Sequence, residues 1–283
     1  MRDFSTDVSA LALNTATLGH NLDGHGAGWP VERMIDACAE RGLGGIVFWR
    51  RESGSRAAES GARVQAAGMQ VVGLCRTPYL VGTQAPADVI AEAKASIDMA
   101  AELGAPVLTI VTGGTEPGTK GVLETQKVLA DRGATLAPFA EERGVRLALE
   151  PLNPMFGGNR TCLMTVRDAV AVCDRVGAAN VGVAVDVYHV WWDTALAESL
   201  LAAGRDRILG YHLCDWLEDT SDMLLDRGMM GDGVADLRAI RAAVEAAGYR
   251  GPCEIEVFSA ANWWCHDPGD VLDLIVERFR TVC

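Results

Sequence analysis

The sequence has no long uninterrupted apolar segment and no paired cysteine motif. None of its apolar runs approaches the roughly 18 to 20 residues that a membrane span needs, so we expect a soluble protein. The eight cysteines include no Cys-x-x-Cys pair, and several fall within predicted strands or helices. This distribution favours reduced thiols that pack as small hydrophobic side chains. The first residues lack the features of a secretory or transit segment, which predicts a cytoplasmic location.

Positive charge is also scarce. The 283 residues include 38 acidic and 25 basic side chains, which gives a formal net charge of −13. A surface of this sign repels a phosphodiester backbone, so nucleic acid is not expected as a partner. No Pro/Ser-rich or charged linker divides the chain, and 49% of the residues are hydrophobic. We therefore expect one domain over residues 1–283 with a large core.

Short apolar segments alternate eight times with alanine-rich amphipathic segments. The predicted strands are residues 8–14, 45–49, 70–75, 107–111, 146–150, 181–186, 208–213 and 253–258. Three of the predicted helices are residues 30–42, 87–103 and 236–247, each with a start or stop residue, and Thr165 to Asp168 resembles a capping box. An α/β chain with eight such units predicts a closed (β/α)8 TIM barrel in preference to an open, doubly wound sheet.

Four ionisable residues stand at or near the ends of the last four predicted strands. They are Glu150, Asp186, His212 and Glu256. A carboxylate in an apolar strand loses hydration, which a cation, a proton or strong hydrogen bonds must replace. The carboxyl ends of all strands in a parallel barrel lie at the same mouth, so side chains at these four positions can meet there. The four positions therefore predict a shared divalent metal ion. Three carboxylates and one imidazole suit Mn²⁺ best, with Mg²⁺, Co²⁺ and Zn²⁺ as alternatives.

Other polar and aromatic residues are predicted at the same mouth. Glu254 shares a strand face with Glu256 but lies about 6 to 7 Å further from the mouth, so we expect a buried carboxylate beside the metal. Asp215 could orient a ligand or cap the loop that follows it. The turn at residues 231–233 could present amides to an anion or simply enter a helix.

Aromatic rings and hydrogen-bonding groups at one mouth suit a carbohydrate. The C–H faces of a sugar pack on aromatic rings, and its hydroxyls need polar partners. A single tryptophan there could equally pack a loop or an oligomer contact. The candidate substrate-binding residues are His20, Trp49, Trp216 and Arg227. The expected partner is therefore a small carbohydrate.

The motifs that contain these residues resemble the xylose isomerase-like superfamily of sugar phosphate isomerases and epimerases, and in particular ketose 3-epimerases. The matching segments are Leu149-Glu150-Pro151-Leu152-Asn153, Asp186-Val187-Tyr188-His189, Tyr211-His212-Leu213-Cys214-Asp215, and Gly248-Tyr249-Arg250-Gly251 ahead of Glu256. The resemblance implies that Glu150 and Glu256 are both metal ligands and catalytic acid/base groups. It also implies that His189 and Asn153 contact substrate. Barrels of this superfamily are often dimers or tetramers, so a homo-oligomer is implied as well.

Two positions depart from the epimerase pattern. Phe156 stands where a substrate-binding glutamate is expected, and Glu218 stands where an arginine is expected. Both expected residues hold substrate oxygens, so the departures argue against a simple free ketohexose.

The expected reaction is proton transfer next to a carbonyl through an enediolate. This chemistry gives an isomerase or epimerase that acts on a ketose, a keto-glycoside or a related polyol. A lyase or dehydratase could use the same intermediate on a keto-inositol or keto-glycoside. An endonuclease IV-like phosphodiesterase is less favoured, because the chain has five histidines and a net charge of −13. A non-catalytic sugar-binding barrel is also less favoured, because the ligand set is intact.

Overall fold

The computed structural model describes residues 7–19 and 28–283. In these residues eight parallel strands form a closed barrel, in which each strand pairs with the next and the last pairs with the first. The strands are β1 (Leu11–Asn14), β2 (Gly45–Trp49), β3 (Gln70–Cys75), β4 (Val107–Val111), β5 (Arg146–Glu150), β6 (Val181–Asp186), β7 (Ile208–Leu213) and β8 (Cys253–Ile255). The predicted (β/α)8 TIM barrel is confirmed.

Helices alternate with the strands along the chain. They are α1 (Val31–Glu40), α2 (Arg50–Ser53), α3 (Ala57–Ala66), α4 (Pro86–Leu103), α5 (Gly121–Glu141), α6 (Val166–Val176), α7 (Val187–Val190), α8 (Leu196–Arg207), α9 (Leu237–Ala246) and α10 (Pro268–Thr281). Thr165 caps α6 by accepting a hydrogen bond from the Asp168 N–H at 3.1 Å, as the sequence predicts. The Asp168 carboxylate, however, accepts from the Met164 N–H and not from Thr165, so the capping box is incomplete.

The first and last strands are shorter than predicted. Residues Val8–Ala10 form a 3-10 turn capped by the Asp7 carboxylate, so β1 begins at Leu11 and not at residue 8. β8 ends at Ile255 and not at residue 258, and the Val257 N–H donates to the Thr17 hydroxyl. Glu256 therefore lies one residue beyond the strand.

Strand register sets the height of the functional side chains in the barrel. Asp186 on β6 pairs with His212 on β7, and His212 pairs with Glu254 on β8. Glu150 is the last residue of β5. All residues of β6 are buried, as expected for a parallel strand covered on both faces. The polar groups at its end must therefore find partners inside the protein.

All eight cysteines are free, in agreement with the lack of paired motifs. Burial raises the pKa of the Cys38 and Cys173 thiols to about 12, so both stay protonated at neutral pH. Among the helices of the described residues, none combines the length and apolarity needed to cross a membrane.

Candidate metal centre and active-site pocket

The structure brings the four predicted metal-binding side chains together at the carboxyl end of the barrel. One ligand atom from each of Glu150, Asp186, His212 and Glu256 lies within 4.8 Å of the other three, and all four residues are buried. We call these residues the four-residue cluster. Three buried carboxylates in so small a volume need compensating positive charge.

The His212 imidazole faces the cluster with one nitrogen and Glu254 with the other. Nδ1 lies 3.1 Å from Glu150 Oε1 but makes no hydrogen bond within the described residues. Nε2 lies 3.3 Å from Glu254 Oε2, and in the neutral ring, the form that can bind a metal, we assign the proton to this nitrogen. The lone pair of Nδ1 then points into the cluster, which is the arrangement typical of a metal-bound histidine backed by a carboxylate.

The strand leaves little spare room around this imidazole. Gly210 lies two residues before His212 and on the same face of β7, and a Cβ at this position would be 3.1 Å from His212 Nε2. Burial alone would lower the pKa of His212, but Glu254, Glu150 and Glu256 raise it well above its ordinary value. The same carboxylates would favour a bound cation.

Arg227 reaches the cluster from the loop between β7 and α9. Its Nη1 donates to Asp186 Oδ2 at 2.8 Å and to Glu256 Oε2 at 3.2 Å. Burial would raise the pKa of Asp186, but Arg227 and nearby histidines hold it below its ordinary value. Burial raises the pKa of Glu256 well above its ordinary range, and Arg227 offsets only part of this. Without a bound metal, Asp186 therefore favours its ionised form and Glu256 its protonated form.

Asp215 fixes the loop that carries Arg227. Its carboxylate accepts hydrogen bonds of 2.8 to 3.0 Å from the backbone N–H groups of Trp216, Gly231, Gly233 and Ala235. The sequence left open whether Asp215 orients a ligand or caps the following loop, and these contacts show that it caps the loop. The amides of the 231–233 turn bind this internal carboxylate, and α9 begins only at Leu237.

Asn14, the last residue of β1, is a site residue that the sequence analysis missed. Its Nδ2 donates to Glu254 Oε1 at 2.6 Å and to Glu256 Oε1 at 2.9 Å. Its Oδ1 accepts from the Trp49 indole N–H at 2.8 Å. Asn14 thus orients both glutamates. The signal that could have found it is a polar side chain at the carboxyl end of an otherwise apolar strand.

His189 lies on α7, the single turn that follows β6. Its Nδ1 accepts a hydrogen bond from the Asn153 N–H at 3.2 Å, which places the proton of the neutral ring on Nε2. Burial lowers the pKa of His189 to about 4, although Asp186 opposes the shift. The ring is therefore neutral at pH 7, with Nε2 able to donate to an oxygen in the pocket.

The six predicted substrate-binding residues are placed differently. Trp49, His189 and Arg227 line a pocket of about 320 Å³ together with Glu150 and Glu256. This volume suits a small-molecule ligand. The other three residues are not part of the described wall: Trp216 stacks on Tyr188 with ring centroids 4.8 Å apart, Asn153 caps the Met155 N–H, and His20 lies outside the described residues. The substrate contacts of all six stay predictions.

Glu52 lies beside Trp49 at this mouth and has an unusual pKa. Its carboxyl accepts hydrogen bonds from the Thr15 hydroxyl at 2.5 Å and from the Trp49 N–H at 3.4 Å. Burial raises the pKa of Glu52 to about 7 from an ordinary value of 4.5, with these hydrogen bonds and Arg51 opposing the shift. Between pH 4.5 and about pH 7, Glu52 therefore binds more protons in the folded protein than in the unfolded chain. The stability contributed by Glu52 is full below pH 4.5 and is lost as the pH rises to about 7.

Replacement Glu52→Gln is expected to remove this part of the pH dependence, because an amide does not titrate. The decrease in unfolding free energy between about pH 4.5 and pH 7 should become smaller by up to about 3 kcal/mol. Urea unfolding across this range measures the change. Glu141→Gln, at an exposed position near the end of α5, is the matched control and should keep the wild-type slope. An unchanged slope in Glu52→Gln would refute the assignment.

Curated relatives of the chain include sugar isomerases and epimerases. An inosose isomerase from Bacillus velezensis (strain DSM 23117 / BGSC 10A6 / LMG 26770 / FZB42) is 29% identical over 180 residues, which cover 60% of each chain. An L-ribulose 3-epimerase from Methylomonas sp. (strain DH-1) is 30% identical over 163 residues, which cover 51% of this chain and 52% of the relative. The chain thus spans between half and two thirds of the length of these relatives.

Solved structures and a family model extend the comparison to nearly the whole chain. The crystal structure of protein SMc04130 from Sinorhizobium meliloti 1021 is 40% identical with a TM-score of 0.89, and the match covers 98% of this chain and 99% of that one. The zinc-containing structure of the IolI protein shares the fold at 20% identity with a TM-score of 0.82, over 96% and 97% of the chains. The family model of the xylose isomerase-like TIM barrel matches residues 35–280. The chain therefore belongs to the xylose isomerase-like TIM barrel family.

Proposed function

We propose that this protein is a divalent-metal-dependent isomerase or epimerase that transfers a proton at a carbon next to a carbonyl. The proposed substrates are a ketose, a keto-glycoside or a related polyol. The observation that carries the proposal is the convergence of the four-residue cluster within 4.8 Å, with Glu150 and Glu256 also in the pocket wall. The similarity to an inosose isomerase and an L-ribulose 3-epimerase supports a carbohydrate substrate.

The four-residue cluster fits one divalent ion. The buried Nδ1 of His212 has no hydrogen-bond partner in the described residues, and its lone pair could coordinate an ion. Three carboxylates and an imidazole are donors that suit Mn²⁺ best, with Mg²⁺ and Co²⁺ also compatible. Zn²⁺ gains support from the IolI protein, which holds a zinc atom. A bound ion would polarise the substrate carbonyl and stabilise negative charge that develops on its oxygen.

The proposed roles of Glu150 and Glu256 are based on their shared position in the pocket wall. We assign proton removal to one of Glu150 and Glu256, and proton return on the opposite face to the other, so that an enediolate links the two steps. The neutral His189 would donate its Nε2 proton to a substrate oxygen. Loss of a β-oxygen from the same enediolate would make the enzyme a lyase or dehydratase.

Solvent-deuterium exchange tests the proposed chemistry. Metal-loaded protein is incubated in D₂O with ketoses, keto-glycosides and keto-inositols, and the substrates are analysed by NMR. We expect deuterium at the carbon next to the carbonyl in at least one of them, with an epimer or isomer as product. An elimination product would identify the lyase alternative. Absence of deuterium from every compound would contradict the enediolate chemistry.

Glu254→Gln is expected to weaken metal binding by about 10- to 100-fold, because an amide is a poorer acceptor for the His212 Nε2–H than a carboxylate is. Competition against a chromogenic chelator measures the affinity. Glu218→Gln changes an exposed glutamate on the loop after β7 and should leave the affinity unchanged. Equal metal affinity in Glu254→Gln and the wild type would show that Glu254 does not support the ligand.

A further inference from the structure

The pocket is rich in positive charge although the protein carries a net charge of −13. The arginines in its wall are Arg50, Arg51, Arg76, Arg160 and Arg227, against the two carboxylates of Glu150 and Glu256. Arg227 is paired with Asp186 and Glu256. Arg50 donates to Glu92 Oε1 at 3.1 Å and to the Ser96 hydroxyl at 2.9 Å. The guanidinium groups of Arg227 and Arg50 are therefore already paired with carboxylates of the protein.

Arg76 and Arg160 differ, because neither forms an ion pair with any carboxylate in residues 7–19 and 28–283. Arg76 Nη1 donates to the Thr77 carbonyl at 3.2 Å, and the guanidinium lies 4.5 Å from the centroid of the Tyr79 ring. Arg160 lies 5.5 Å from the Phe156 ring, and its Nε is buried with no hydrogen-bond partner. Both side chains are half-buried. Such donors in a pocket wall are costly unless an acceptor reaches them.

The two guanidinium groups also affect each other. Burial lowers the pKa of Arg76, and the neighbouring positive charges of Arg160 and Arg50 lower it further, while Tyr79 opposes the shift. Like charges that approach each other in a partly dry pocket repel strongly. An anion in contact with both groups would remove the repulsion and satisfy the unused donors.

The backbone that carries Arg160 is held firmly. Its N–H donates to the Phe156 carbonyl at 2.9 Å, and its carbonyl accepts from the Gly113 N–H at 3.0 Å. The loops after β4 and β5 pack closely, because a Cβ on Gly114 would lie 2.2 Å from the Gly158 carbonyl oxygen. The backbone at Arg160 is therefore fixed before any ligand binds, which lowers part of the entropic cost of binding.

Phe156 keeps the charge of Arg160 available. The guanidinium carbon lies 5.5 Å from the centre of the Phe156 ring, which contacts the cation without neutralising it. The charge of Arg160 therefore stays available to a ligand in the pocket.

We propose that Arg76 and Arg160 bind an oxyanion of the substrate, which makes the substrate a keto sugar that carries a phosphate or a carboxylate. The proposal rests on the proposed function for the reacting end of the molecule, because both arginines share the pocket with Glu150 and Glu256. Guanidinium groups recognise both oxyanions through parallel N–H donors. The keto end would lie at the four-residue cluster and the anionic end at the loops after β3 and β5.

Calorimetry on the metal-loaded protein tests the oxyanion site without requiring turnover. The titrants are inorganic phosphate, acetate, D-fructose and D-fructose 6-phosphate, and the variants are Arg76→Met and Arg160→Met. We expect each variant to weaken binding of at least one anionic titrant by 10-fold or more, with D-fructose affected less than 3-fold. Arg167→Met removes an exposed arginine on α6 and should change nothing. Arg160→Lys, which keeps the charge, should recover part of the affinity and so exclude a folding defect.

The outcomes separate the two oxyanions and the two proposals. A loss confined to phosphate and fructose 6-phosphate identifies a sugar phosphate, and a loss confined to acetate identifies a sugar acid. Wild-type affinity of both arginine variants for all anions would overturn the oxyanion site. Equal deuterium exchange into anionic keto sugars, such as D-fructose 6-phosphate, in wild type and both variants would also overturn it, while leaving the proposed function intact. Anion binding that depends on the arginines, without deuterium exchange into any keto compound, would contradict only the proposed function.

Discussion

Replacement of Glu256 or Glu150 by glutamine is expected to reduce turnover by at least ~10²-fold, the usual consequence of losing a general acid or base. Glutamine keeps the size of the side chain but cannot accept or deliver the substrate proton. Initial rates and deuterium exchange, measured at saturating metal, give the effect. Saturating metal matters because both residues are also proposed ligands.

The two glutamine variants need a control that changes charge away from the pocket. Glu141→Gln serves, since Glu141 is exposed at the end of α5 and does not line the pocket. Its turnover should equal that of the wild type. If Glu150→Gln or Glu256→Gln retained wild-type turnover with a full metal complement, the proposed role of that residue in proton transfer would be wrong.

Arg227→Met is expected to lower the unfolding free energy of the metal-free protein by about 3 to 5 kcal/mol. The substitution leaves Asp186 and Glu256 buried without the guanidinium that now donates to both at 2.8 and 3.2 Å. Addition of a divalent metal should reduce this deficit, because a cation bound to the same carboxylates stabilises only the folded state. Chemical denaturation with and without metal measures both quantities.

A second arginine next to the same loop provides the comparison. Arg278 donates to the Met230 carbonyl and pairs with Asp232 at 3.3 Å, but it is more exposed than Arg227. Arg278→Met should therefore lower the unfolding free energy much less than Arg227→Met does, because exposed ion pairs contribute about 1 kcal/mol or less. Equal stability of metal-free Arg227→Met and wild type would show that the buried carboxylates do not depend on this guanidinium.

Residue patterns predicted the strand boundaries and the four-residue cluster best, because the carboxyl ends of the strands lie together at one mouth of the barrel. Apolar runs predicted the boundaries of β2 to β7 as the structure has them, because these strands are mostly buried and mostly hydrophobic. The convergence of the four-residue cluster then followed from the geometry of a parallel barrel. The predicted boundaries were wrong at β1 and β8. There the Asp7 carboxylate accepts a hydrogen bond from the Ser9 N–H, and the Thr17 hydroxyl accepts one from the Val257 N–H, so the backbone leaves the strand path. Apolar periodicity does not report such local bonds.

Residues on long loops were the harder part of the site. Arg227 could be assigned to the loop after β7, but its contact with Asp186 depends on how Asp215 folds that loop through four amides. Such a conformation is not encoded in residue spacing. Asn14 was missed for a different reason: an uncharged amide at a strand end is a weaker signal than a carboxylate or an imidazole, although it also needs a buried partner.

The most direct measurement is the metal content of the purified protein after saturation with Mn²⁺ or Zn²⁺ and removal of free ion. We expect one tightly bound divalent ion per chain in the wild type, and a large loss in Asp186→Asn and in His212→Ala. Anomalous diffraction should locate that ion among Glu150, Asp186, His212 and Glu256. A wild-type protein that binds no ion, or variants that retain the ion at wild-type affinity, would contradict the proposed metal centre.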